Sequence, residues 1–140
     1  VDTKAKPEAV ELTMERASSL TDLLPAPLVF RGADAAVSDS PPPGTEAGEV
    51  YTATARYVCA VGPNRVNDSL RKLHSDWRAR GWESSIRAFD GGGEVTVRTP
   101  DGFSYFVTVR ADHRSLAVMV DSPLYRDPAP DTLFTPLRPG

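Results

Sequence analysis

Isoleucine occurs once in these 140 residues, cysteine once, and histidine twice. The single cysteine, Cys59, excludes an intramolecular disulfide, a CxxC redox pair and a cysteine-based zinc site within the chain. With Val58, Ala60 and Val61 beside it, the thiol is expected to be buried and to act as a small hydrophobe rather than a nucleophile. Leu, Ile, Val and Phe number 11, 1, 14 and 5, only slightly above the roughly 20% below which chains tend to stay disordered, so the expected core is modest. No apolar run approaches the about 20 residues of a membrane-spanning helix. Basic residues are outnumbered, sixteen to nineteen, giving a net charge of −3. That balance repels phosphate backbones, and nucleic acid is not an expected partner.

Groupings of reactive residues are equally sparse. His74 lies near Asp68 and Asp76 without the HExxH spacing of a zinc site, and His113 follows Asp112 in what reads as a turn. Ser84-Ser85 and Ser38-Asp39-Ser40 lack the GxSxG elbow that exposes a nucleophilic serine. Gly91-Gly92-Gly93 joins two predicted strands instead of opening a helix, so it reads as a hairpin tip and not as a phosphate cradle. No catalytic residue, metal ligand or cofactor is therefore assigned.

What is present is architecture. Val10, Met14, Ala17, Leu20 and Leu24 recur at spacings of three and four behind Pro7, predicting a helix over 7–24. Leu28 to Arg31 reads as a short strand or linker. The Pro-, Gly- and acid-rich stretch 32–49 reads as a flexible loop, disordered or acting as a lid or partner-binding segment. Tyr51, Ala53, Ala55, Tyr57, Cys59 and Val61 alternate with polar residues over 50–61, the period of a strand with one apolar face. A second helix starts near Asn67, a side-chain cap, carries Leu70, Leu73 and Trp77 on one stripe, and ends at Gly81. Lys72 and Asp76 are placed to pair across solvent. Four alternating segments follow, 82–89, 94–99, 103–111 and 116–121, too closely spaced for helical crossovers and hence antiparallel. Five prolines between 123 and 139 give the C-terminal stretch the character of a surface tail. The prediction is an α+β domain over 1–123, an antiparallel β-sheet of about five strands with two α-helices packed on one face, followed by a Pro-rich tail over 124–140.

Charge is distributed unevenly. The 32–49 loop carries Asp34, Asp39, Glu46 and Glu49, whereas 65–87 carries six basic residues against three acids. A solvated helix face accounts for such a run, and a docking patch is the alternative. On the second reading, Arg71, Arg78, Arg80 and the neighbouring Trp82 are the candidate binding residues. Aromatics share strand faces, Tyr51 with Tyr57 and Phe103 with Tyr105, and either pack under the helices or line an open face.

The Tyr57-Val58-Cys59 strand, the Leu70 to Trp77 helix, the Arg80-Gly81-Trp82 turn and the Asp121-Ser122-Pro123 exit resemble the ectodomains of small actinobacterial cell-envelope lipoproteins. The likeness covers residues 50–123. Thirteen arginines against three lysines, with abundant Ala and Pro, fit a high-GC coding bias. The resemblance implies an extracytoplasmic segment tethered to the membrane by a lipidated cysteine upstream of Val1, with a protein or envelope component as partner and no catalytic residues carried over. The functional expectation is a non-catalytic binding or assembly domain. Two alternatives stand beside it: a small hydrolase or enzyme accessory using the His and Asp groups, and a carrier of an apolar ligand held between helices and sheet.

Overall fold

The strand β3 (Val50–Cys59) shows how alternation orients this fold: Tyr51, Ala53, Ala55, Tyr57 and Cys59 are buried, and Arg56 is exposed. The computed structural model describes residues 1–89 and 92–140. Before β3 come β1 (Asp2–Thr3), α1 (Lys6–Ala17) with a 3₁₀ turn (Ser18–Leu20), and β2 (Leu28–Val37). After it come α2 (Val66–Ala79), β4 (Glu83–Phe89), β5 (Gly92–Arg98), β6 (Ser104–Val109), β7 (Leu116–Asp121) and β8 (Tyr125–Arg126). One mixed but mostly antiparallel sheet results, ordered β2-β3-β7-β6-β5-β4, with β8 beside the start of β3 and β1 parallel to β8.

The sheet has eight strands, not about five. Two of the additions, β1 and β8, are two residues long, too short to show a period; β8 becomes a strand by pairing with β3, and β1 by pairing with β8. The third is β2, ten residues where the sequence reads as a short strand followed by loop. Gly, Ala and Asp are poor strand formers, but nine register pairs with β3 override that preference. The loop is correspondingly shortened to 38–49, where Pro42 and Glu46 accept turn hydrogen bonds from Thr45 and Glu49.

Register shows that both helices cover the same face. Val97, Tyr105, Val120, Ala55 and Ala33 form one buried row across five strands. α1 packs over β2, β3 and β7, and α2 over β4, β5 and β6. The space between is filled by Leu20, Leu70, Leu73, Trp77, Tyr105 and Val107, all essentially inaccessible. No helix among the described residues is long and apolar enough to cross a membrane.

Helix ends differ from the sequence reading for local reasons. The predicted 7–24 helix stops at Ala17 because the hydroxyls of Ser18, Ser19 and Thr21 donate to carbonyls three residues back, at 2.6, 2.8 and 2.7 Å, favouring the tighter 3₁₀ turn. Leu20 and Leu24 remain buried beyond the helix. In α2 the cap position is Arg65, without a side-chain cap, and Asn67 lies inside the first turn. Asp76 pairs with Arg80 at 2.9 Å and not with Lys72. The C-terminus is as expected: Gly81 at φ +80 lets its N–H reach Arg78 while Trp82 N–H reaches Trp77, the two bonds of a Schellman motif.

The tail lies against the domain. Leu137 and Ala33 exchange N–H···O bonds of 2.8 and 3.0 Å on the outer side of β2. Gly32, at φ +152, sits under this bridge, and a Cβ there would lie 3.2 Å from the Leu137 carbonyl oxygen.

Buried phenols give the fold an alkaline limit. Burial raises the pKa of Tyr51, Tyr57 and Tyr125 above the ordinary phenol value of 10.0, with the Asp127 charge adding to the rise at Tyr51. The unfolded chain therefore releases these protons first. Their stabilising contribution is complete below about pH 10 and is lost as pH rises through the folded-state values. Urea midpoints measured from pH 8 to 11 are expected to fall steeply only above about pH 10; a flat profile there would contradict this.

Candidate functional site

The face of the sheet opposite the helices is built by the residues that alternate away from the core. Phe106 pairs with Met119, and Met119 with Arg56, in one row; Thr108, Ala117 and Val58 form the next. All but Arg56 are half-buried by their neighbours alone. A register shift between Phe30 and Gly32 leaves Arg31 as the extra residue of a β-bulge, which adds it to the same surface. Together these residues line an open groove of about 360 Å³. Val29 continues the apolar strip towards β2 and is 54% exposed.

The charges of this face are arranged around its apolar centre. Arg31 and Arg56 make no ion pair among the described residues. One row further along, Asp121 accepts a hydrogen bond of 2.7 Å from the Thr54 hydroxyl, and Asp34 accepts one of 2.7 Å from the Ala35 N–H. At the far side of the sheet Arg87 and Glu94 pair across β4 and β5. An apolar middle containing Phe and Met, flanked by Arg and rimmed by polar groups, has the composition of a protein-binding surface.

The four residues singled out from sequence lie elsewhere. Arg71 and Arg78 are exposed on α2 and Arg80 at its C-terminal cap; the helix covers the other face of the sheet. Arg71 contacts Asp68 at 3.4 Å; Arg80 pairs with Asp76 and lies 5.3 Å from the centroid of the Trp82 ring. The acidic loop joins the ends of β2 and β3, on the half of the sheet away from α2. The fold thus separates the open face, the acidic loop and the arginine side into three surfaces.

The histidines take different roles. His74 Nδ1 lies 2.8 Å from Ser84 Oγ, joining α2 to β4. Among the described residues no group of three or more His, Cys, Asp or Glu could hold a metal ion, and no carboxylate bonds the His74 ring to complete a triad. His113, at φ +55, belongs to a hairpin turn in which Asp112 accepts bonds from the Arg114 N–H and from the Ser115 N–H and hydroxyl. Those hydrogen bonds from Arg114 and Ser115 hold the exposed Asp112 carboxyl below its ordinary value. Of the glycine run, Asp90 and Gly91 lie outside the described residues, while Gly92 and Gly93 belong to β5. Gly93 lets α2 approach, because a Cβ there would meet Leu70 Cδ1 at 3.0 Å.

Cys59 is buried as expected, and burial raises its pKa. The paired aromatics face inwards: Tyr105 lies 5.9 Å from Trp77, Tyr57 meets Phe30 edge-on at 5.7 Å, and Tyr51 lies 6.1 Å from Tyr125. Phe106 faces outwards, and sequence reasoning passed it over although the alternation of 104–109 sets it opposite Tyr105 and Val107.

No family model, curated protein or solved structure matches this chain.

Proposed function

We propose that this chain is a non-catalytic binding domain that recognises a protein partner through the open face of its sheet, acting in the cell envelope outside the cytoplasmic membrane. The observation that carries the reading is the uncovered strip Val58, Phe106, Ala117 and Met119 flanked by Arg31 and Arg56. Single exposed apolar residues are ordinary, whereas a contiguous apolar strip with an arginine border marks an interaction surface. The envelope address rests on the lipoprotein-like pattern over 50–123.

The test is site-directed photocrosslinking in the protein's native cells, with a photoreactive phenylalanine analogue replacing either Thr108 or Arg78. An adduct from position 108, recovered in the envelope fraction and suppressed by Met119→Glu, is the expected result. An adduct from 78 alone would move the binding surface to α2, and a cytosolic adduct would remove the envelope address.

A second reading, a small hydrolase, is favoured by one contact, the 2.8 Å approach of His74 to Ser84. It requires Ser84 to be labelled by a fluorophosphonate and that labelling to vanish in His74→Gln; on the binding-domain reading Ser84 stays unlabelled.

A further inference from the structure

We infer that the partner presents an acidic segment, in which carboxylates stand beside a large apolar side chain, to the groove on the open face. The inference rests on the open face being the binding surface, and it names the chemistry that fits there. The charged side chains lining the groove are Arg31 and Arg56, so its local charge is wholly positive in a chain whose net charge is −3. Neither guanidinium has an ion-pair partner among the described residues. Of the carboxylates on the same face, Asp34 and Asp121 stand in the next row and each already accepts a hydrogen bond, while Glu94, across from Thr108, is paired with Arg87.

Register fixes the geometry. Arg56 lies directly across from Met119, which lies across from Phe106, so a cation stands at one end of an apolar row. Arg31, projected by the bulge, adds a second cation at that end. A guanidinium offers a planar pair of donors matched to a carboxylate, and covering it with a neutral or basic surface would leave it desolvated and unpaired. The apolar row accepts the other half of the ligand: 360 Å³ is roughly twice a cavity that holds benzene, room for one or two large side chains.

The chain contains two methionines, which makes the test direct. Met119 lies in the groove, and Met14 lies on α1 beside Phe134 and Leu137 of the tail. Methyl-¹³C-methionine labelling of the full chain therefore gives one signal for each surface. Three blocked heptapeptides serve as probes: one alternating aspartate with leucine and phenylalanine, one with lysine replacing each aspartate, and one with serine replacing each apolar residue.

The expected result is that the acidic apolar peptide alone shifts Met119 and leaves Met14 in place. Binding should weaken as salt is raised and fall about tenfold in Arg31→Gln and in Arg56→Gln. If the lysine peptide shifts Met119 equally, the inference about charge is overturned while the open-face reading stands. A shift of Met14 without Met119 would overturn both. Movement of Met119 with protein concentration alone would make a second copy the occupant, and movement with dodecanoate but not with the peptide would make it a lipid anion; either overturns the acidic segment.

Discussion

Trp77→Ala is expected to destabilise the fold by about 3–5 kcal/mol, the usual cost of truncating a buried tryptophan. Trp77 is 1% exposed and is among the largest side chains wholly enclosed by the structure. It is the last member of the α2 stripe, and its ring lies 5.9 Å from Tyr105 with the planes tilted by 33°. The Schellman bond from Trp82 goes to the Trp77 carbonyl and survives the substitution, so the loss isolates packing from capping. Since domains are stable by about 5–15 kcal/mol, about a fifth or more of the total is at stake. Urea titration followed by far-ultraviolet circular dichroism measures it. Trp77→Phe should cost less, and a loss below about 1 kcal/mol for the alanine variant would show that α2 is not anchored by this residue.

Asp127→Ala is expected to produce a loss of similar size, about 3–5 kcal/mol, by a different mechanism. Lys6 Nζ and Asp127 Oδ2 are 3.1 Å apart, with side chains 11% and 4% exposed. Oδ2 has no hydrogen-bond donor in good alignment among the described residues, so the contact is Coulombic rather than directional. Oδ1 accepts the Ala129 N–H at 2.9 Å, and the Asp127 N–H donates to the Glu49 carbonyl at 2.8 Å. The alanine variant leaves the Lys6 ammonium without its counter-ion in a site with little water, held only by a long bond of 3.5 Å to the Thr132 carbonyl. Replacing both partners with apolar residues, Lys6→Met with Asp127→Leu, removes the stranded charge and should recover most of the loss. A double-mutant cycle checks this; strictly additive losses would mean that the two groups do not stabilise each other.

What the sequence revealed and what it hid follow from the range of the interactions involved. The α2 stripe and its glycine stop were legible because Leu70, Leu73, Trp77 and Gly81 act within a few residues of one another. The alternation of β3 and β7 was legible for the same reason. β2 was hidden because Gly32, Ala33, Asp34 and Ala35 become strand only when β3 lies alongside, and β8 because Tyr125 and Arg126 pair with residues more than seventy positions away. The open face was foreseen as an uncovered layer, but its residues were not: Phe106 and Met119 stand in alternating segments whose inward partners drew attention first. Arg31 joins the face through a register shift that no local pattern announces. The arginines of α2 stood out in the sequence because they are close together along the chain, a proximity that the fold places on the helix's outer side.

The contact between Leu137 and Ala33 bears on how the protein keeps to itself. β2 is a terminal strand of the sheet, and a terminal strand with open amides recruits strands from other molecules. Here the bulge at Arg31 bends that rim, the Asp34 carboxylate occupies the Ala35 N–H, and Leu137 takes both backbone groups of Ala33. The proline-rich end of the chain thus acts as a selvedge: it finishes this border of the weave and denies fibril-like growth a place to start along β2.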